Sequence, residues 1–143
     1  MTISAIDGGA YICRESGWTT TQLAVQKILY LAHMVHFGRT NAPLVQGQFE
    51  AWEYGPVHPL LYQRVKAFGA KPIPDVFPKK ELHGQAVATL SDACSNLLGK
   101  SAAELVRNTH WHGGAWIRHY IPGARNVPIP DASIIDEYKR RTE

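Results

Sequence analysis

Cysteine is scarce in this chain: Cys13 and Cys94 are the only two among 143 residues, and they stand far apart with no Cys-x-x-Cys spacing. That excludes a disulfide framework or a zinc knuckle and leaves both as small buried hydrophobes. Long apolar runs are missing too. No segment reaches the about 18 apolar residues that span a bilayer, and the start of the chain carries no basic stretch followed by an uninterrupted apolar one, so no membrane partner and a cytoplasmic location are expected. Excess charge is absent as well. The formal net charge of +3 is scattered apart from Lys79-Lys80 and Lys139-Arg140-Arg141, and no helix-turn-helix, zinc-finger or RNA-recognition pattern accompanies it, so nucleic acid is not the expected partner. Nor is there a Gly-x-Ser-x-Gly elbow, a phosphate loop or a His-Glu-x-x-His helix. No cofactor is expected, and the chain does not read as an enzyme.

What the chain does have is apolar residues in helical register. At 143 residues and 45% hydrophobic it has the size and composition of one domain with one core. A short helix is predicted near residues 4–15, and a strong one from about Thr20 to Phe37, with Thr19, Thr20 or Thr21 as its cap and Gly38 at its end. On a helical wheel Val25, Ile28, Leu31, Ala32 and Val35 share one side, and Leu23, Tyr30, Met34 and Phe37 occupy another. A helix apolar nearly all round belongs at the centre of a bundle. Its polar residues Gln22, Gln26, His33 and His36 fall on one remaining strip, with Leu29 among them.

Further along, Pro72, Pro74 and Pro78 punctuate an extended connector anchored by Ile73, Val76 and Phe77. Helices are predicted over Leu82–Leu98, ending at Gly99, and from a Ser101 cap to Thr109. A turn through His110–Gly114 precedes helix around Trp116–Tyr120, and Asp131 or Ser133 is expected to cap a terminal helix through Ile134, Ile135 and Tyr138. The fold class is mainly α (α+β): a compact single-domain helical bundle, residues 1–143, around a central apolar helix, with a small β element near residues 46–54.

The densest chemistry lies in Phe49-Glu50-Ala51-Trp52-Glu53-Tyr54-Gly55-Pro56-Val57-His58-Pro59-Leu60-Leu61-Tyr62. Pro56 pushes Gly55 toward extended geometry, and Pro59 has the fixed φ favoured at the first position of a helix, which Leu60, Leu61, Val65 and Phe68 continue up to Gly69. The segment reads as short strand, rigid corner, helix. Glu50 and Glu53 do not make an acid/base pair, because residues three apart on a strand point to opposite faces. Glu50 reads either as a carboxylate held beside Trp52 to accept from a partner or from Gln26, or as a buried acid serving a backbone donor. Seven histidines invite a metal reading through His33, His36, His110, His112 and His119. The spacing matches no ligand motif, so no metal site is expected. Four tryptophans exceed what a core this size needs, and Trp52 and Trp116 read either as core filling or as interface residues. Trp111, between His110 and His112 and beside Gly113-Gly114, reads as the exposed one at a loop tip.

The Phe49–Tyr62 segment resembles the Phe-Glu-Ala-Trp-x-Tyr-Gly-Pro-Val-x-Pro-x-Leu-Tyr signature of the Panacea, or SocA-like, antitoxin domains, which are bacterial and phage-associated. Val25-Gln26-Lys27-Ile28-Leu29-Tyr30-Leu31-Ala32 is similar to that family's Leu-Gln-Lys-Leu-Leu-Tyr-Tyr-Ala helix. Ala42-Pro43-Leu44, Thr109-His110 with Trp116, and Ile129-Pro130-Asp131 with Ile134 and Tyr138 match further motifs in the same order over roughly residues 20–140. The resemblance implies an antitoxin that binds and neutralises a cognate protein toxin encoded beside it, in some relatives as an adaptor delivering the toxin to a Clp-type protease.

On this reading the expected partner-binding residues are Gln26, Glu50, Trp52, Tyr54, Gly55, Pro56, Tyr62, His110, Trp111 and Trp116. The corner and its following helix form a rigid platform, with the polar strip of the central helix beside it. Two other classes stay open: a small metal-dependent hydrolase or nuclease using His110, His112 and Glu50, and a DNA-binding autoregulator. Homo-oligomerisation and the role of residues 1–19 are left open too.

Overall fold

The computed structural model describes residues 2–143. Seven α-helices and one two-stranded sheet follow one another as α1 (Ala5–Glu15), α2 (Gln22–Thr40), β1 (Glu50–Trp52), β2 (Gly55–Val57), α3 (Pro59–Val65), α4 (Gln85–Leu97), α5 (Ala102–Thr109), α6 (Ala115–His119) and α7 (Asp131–Arg141). The fold is mainly α, as the helical periodicity requires.

Helix α2 is the axis of the bundle, packed against α1, α3, α4, α5, α7 and β2. Val25, Ile28, Leu29, Tyr30, Leu31, Ala32, Met34 and Phe37 are all buried on it, so its apolar circumference is matched by neighbours on every side. The polar strip also faces inward. Gln26, His33 and His36 are buried, and each has a partner: Gln26 joins the His58 backbone, His33 Nδ1 accepts from Val45 N at 3.3 Å, and His36 Nδ1 meets Thr89 Oγ1 at 2.8 Å. Burial pushes His33 down to about 3, which keeps the ring neutral and able to accept.

Side-chain caps fix the starts of α1, α2 and α5. Ser4 and Thr21 accept from Ile6 N and Ala24 N, and Ser101 forms a capping box with Glu104. Pro59 opens α3, which tightens into a 3-10 turn, Lys66–Phe68, before Gly69. Four boundaries differ from expectation. Helix α2 runs through Gly38 to Thr40 and ends on Asn41 in the left-handed conformation (φ 57). Gly38 serves close packing instead: a Cβ there would lie 2.1 Å from the Tyr138 ring of α7. Helix α4 starts at Gln85, not Leu82. The N-cap position of α7 is Pro130, with no side-chain cap, so Asp131 lies inside the first turn, where its charge favours the helix dipole. The β element extends past residue 54 because the corner is the turn of a hairpin, not the end of a strand.

In that hairpin Glu50 pairs with Val57, Ala51 with Pro56 and Trp52 with Gly55. The outer edge of β1 is closed by residues 127–129: Ala51 N donates to Val127 O at 2.9 Å and Ile129 N to Phe49 O at 2.8 Å. The segment before α7 thus lies against the hairpin, and the edge is not left bare. Cys13 and Cys94 are buried free thiols. No helix among the described residues is long and apolar enough to cross a membrane.

Candidate functional site

The two-residue turn Glu53-Tyr54 is fixed by what lies beneath it. Gly55 has φ 118, a region side chains avoid, and a Cβ there would approach Lys27 Cε to 2.8 Å and Thr109 Oγ1 to 2.9 Å. Only glycine allows the corner to lie this close to α2 and α5. Two adjacent residues of α2 then hold the second strand. Gln26 accepts from His58 N at 2.8 Å and donates to His58 O at 3.2 Å, so its amide is used at both ends. Lys27 Nζ donates to the Pro56 carbonyl at 2.9 Å. Lys27 is 0% exposed, and burial lowers its ammonium to about 7.

An aromatic array braces the other side. Trp116 Nε1 donates to the Trp52 carbonyl at 2.7 Å, and its ring lies between His110 (centroids 3.7 Å apart) and Tyr120 (4.8 Å), stacked on both. Trp52 meets Tyr62 edge-on at 4.7 Å, donates to Glu50 Oε1 at 2.9 Å, and carries the Arg125 guanidinium over its face at 4.5 Å. Burial, together with the nearby Lys27 charge, lowers the His110 imidazole, while the Tyr54 backbone opposes the shift. His110 Nε2 is buried without a partner. Against these fixed neighbours, Tyr54 stands 61% exposed.

Beside the corner opens a cavity of about 520 Å³, lined among others by Gln26, Lys27, Trp52, Tyr62, Tyr120 and Arg125. Its arrangement suits binding: an apolar aromatic wall with a few fixed polar groups. No nucleophile and base are paired there.

Nine of the ten expected residues belong to this neighbourhood: Gln26, Glu50, Trp52, Tyr54, Gly55, Pro56, Tyr62, His110 and Trp116. Trp111 does not present the free loop-tip aromatic that its flanking residues implied. It is half-buried and packs under the Arg141 guanidinium, 5.0 Å from its ring. Of the two readings of Glu50, the structure shows a carboxylate bound to the Trp52 indole, with Gln26 engaged elsewhere. His110, His112 and Glu50 do not form a metal-ligating set. Among the described residues no group of three or more His, Cys, Asp or Glu could hold an ion.

Three contributors escaped the sequence reading. Lys27 had a usable signal, as a lone cation in a helix that patterning places at the centre must be buried. Arg125 had none, since its partners lie far away in the chain, and Glu137 offered only its Arg141 neighbour four residues on. Glu137 is fully buried and accepts from Tyr30 Oη at 2.8 Å, Ala115 N at 2.9 Å and Arg141 Nε at 2.8 Å. It ties α7 to α2 and to the start of α6, and so fixes the loop that carries His110.

The model of the antitoxin SocA-like Panacea domain matches residues 25–117. Antitoxin SocA of Caulobacter vibrioides is 35% identical over an alignment of 108 residues, 67% of this chain and 57% of that protein. The chain therefore spans little more than half the length of that relative. No solved structure matches.

Proposed function

Because the chain belongs to the family of SocA-like antitoxins built on the Panacea domain, we propose that it binds and neutralises a protein toxin encoded beside it, through the hairpin corner, and that it acts by binding and not by catalysis. The observation that supports the corner as the contact surface is its rigidity combined with exposure. Tyr54 projects into solvent from a turn whose two sides are held by Lys27 and Gln26 on one face and by Trp116 on the other. A preformed aromatic surface loses little conformational freedom on association, and an aromatic anchor of this kind is a typical interface hot spot.

Masking the toxin in a stoichiometric complex is the simplest mechanism consistent with this surface. Delivery of the bound toxin to a Clp-type protease is the finer alternative, and it needs a second contact surface. Co-expression with the product of the neighbouring gene tests both. Growth rescue with a co-purifying complex in cells lacking the protease supports masking, whereas rescue only when the protease is present, with the toxin disappearing, supports delivery. Absence of both rescue and complex would refute the antitoxin role.

A further inference from the structure

One wall of the cavity, residues 121–126, is tied to the fold at its two ends. Before it, Tyr120 N donates to Trp116 O at 2.8 Å and the Tyr120 ring stacks on Trp116. After it, Val127 O accepts from Ala51 N at 2.9 Å and Ile129 N donates to Phe49 O at 2.8 Å. Between these anchors the backbone makes one hydrogen bond among the described residues, and it is internal, from Ala124 N to Ile121 O at 3.0 Å. No side chain of 121–126 enters a hydrogen bond or an ion pair among the described residues. All but Ala124 are exposed, Ile121 by 55%, and a Cβ added at Gly123 would meet nothing within 4 Å. What joins the segment to the corner is Arg125, whose guanidinium covers the face of Trp52 at 4.5 Å and lies 5.8 Å from Tyr62. A cation-π contact at an exposed site is weak, and a segment with so few buried contacts opens at low cost.

We propose that residues 121–126 form a strap latched over Trp52 by Arg125, and that the strap swings out when a protein partner engages the corner, so that Trp52 and Tyr62 join the exposed Tyr54 in one aromatic surface. The inference rests on the antitoxin reading for the partner and on the tethering of the strap for the motion. The ring that is uncovered does not have to be rebuilt. Trp116 Nε1 holds the Trp52 carbonyl, Glu50 Oε1 holds the indole Nε1, and Tyr62 packs against the ring edge-on at 4.7 Å. Only the strap changes place, while its anchors at Tyr120 and Val127 limit how far it travels. A partner that needs the open form binds with an affinity reduced by the fraction of chains that are open. That fixes the sign of the test: truncating a residue that touches the partner weakens the complex, whereas truncating a latch strengthens it.

The test uses the whole purified chain as wild type, Arg125→Gln and Arg125→Lys, with a melting curve for each. Backbone amide relaxation is measured first. In Arg125→Gln the order parameters of residues 121–126 should fall to below about 0.6 while Tyr120 and Val127 stay near about 0.85. Arg125→Lys, which keeps the cation, should lie between the wild type and Arg125→Gln. The neighbouring gene's product is then titrated calorimetrically into each chain. Arg125→Gln should bind about two- to fivefold tighter than the wild type. Unchanged order parameters in Arg125→Gln overturn the proposal, because the strap would then be held by something other than Arg125. Equal or weaker binding by a folded Arg125→Gln chain overturns it as well, since the strap would then not gate the surface. The two readings fail separately: a loosened strap without binding by any of the chains removes the antitoxin reading and keeps the latch, whereas binding with an unmoved strap does the reverse.

Discussion

Lys27 and Glu137 are both charged-type side chains with no exposed surface, and the protein treats them in opposite ways. Glu137 is saturated, accepting from a phenol, a backbone amide and a guanidinium. Lys27 has a single carbonyl and answers burial by a lowered pKa, to about 7. Burying a charge is costly unless it is paired or neutralised. The saturated group holds the frame together, joining α2, α6 and α7, while the under-satisfied one lies under the surface proposed to bind. Spare hydrogen-bonding capacity, more than burial, separates the two.

The largest expected effect comes from breaking the saturated side. Glu137→Ala strands Tyr30, Ala115 and Arg141 together and should cost about 3–5 kcal/mol, read as a fall in Tm of roughly 10 °C; a loss below 1 kcal/mol, about the worth of a single hydrogen bond, would deny Glu137 its role. Next is Trp52→Ala, which should weaken toxin binding by at least about 2 kcal/mol in a variant whose melting curve shows it folded. Third is pH. The Lys27 ammonium lies near 7 in the folded chain and near about 10.4 when unfolded. Between those values the unfolded chain holds a proton that the folded one lacks, so stability rises with pH, on the order of 1 kcal/mol per unit.

Cys13 and Cys94, pushed up by burial to about 12 and about 11, act in the opposite sense once unfolded thiols ionise near about 8.5. Histidines lowered by burial, His33, His36, His58, His110 and His119, add to the rise near pH 7, so the share of Lys27 is read from the difference between the wild type and Lys27→Met. Between about pH 7 and 8.5 the wild-type chain should gain more stability than Lys27→Met. The smallest effect is Lys27→Met itself near neutral pH, expected within about 1 kcal/mol of wild type, because an apolar side chain removes the desolvation cost along with one hydrogen bond.

Helix existence was legible because local chemistry decides it: Ser101 with Glu104, Pro59 at the first position of α3, and the apolar circumference of α2 all act within a turn or two. Gly38 and Trp111 were misread for one shared reason. Each is set by α7, a hundred residues or thirty away, through Tyr138 and Arg141. The corner was legible as a motif, yet its hairpin turn was not, since the pairing of Trp52 with Gly55 depends on Lys27 and Thr109 closing beneath a bare glycine. Nine of the ten expected partner-binding residues lie around that corner, but Gln26, Gly55, Pro56 and Trp116 are buried there and support the surface instead of forming it. The cations that give the neighbouring cavity its character, Lys27 and Arg125, had to be seen in place.

The most direct measurement is co-expression of the neighbouring gene's product, the proposed toxin, with either the wild-type protein or Tyr54→Ala, scored by growth and co-purification, with a melting curve for each. Tyr54 is exposed and makes no core contact that its loss would forfeit. Rescue and a stable complex are expected with the wild type, and loss of both with a folded Tyr54→Ala variant. Full rescue and undiminished complex with that folded variant would contradict the claim that the corner is the toxin-binding surface.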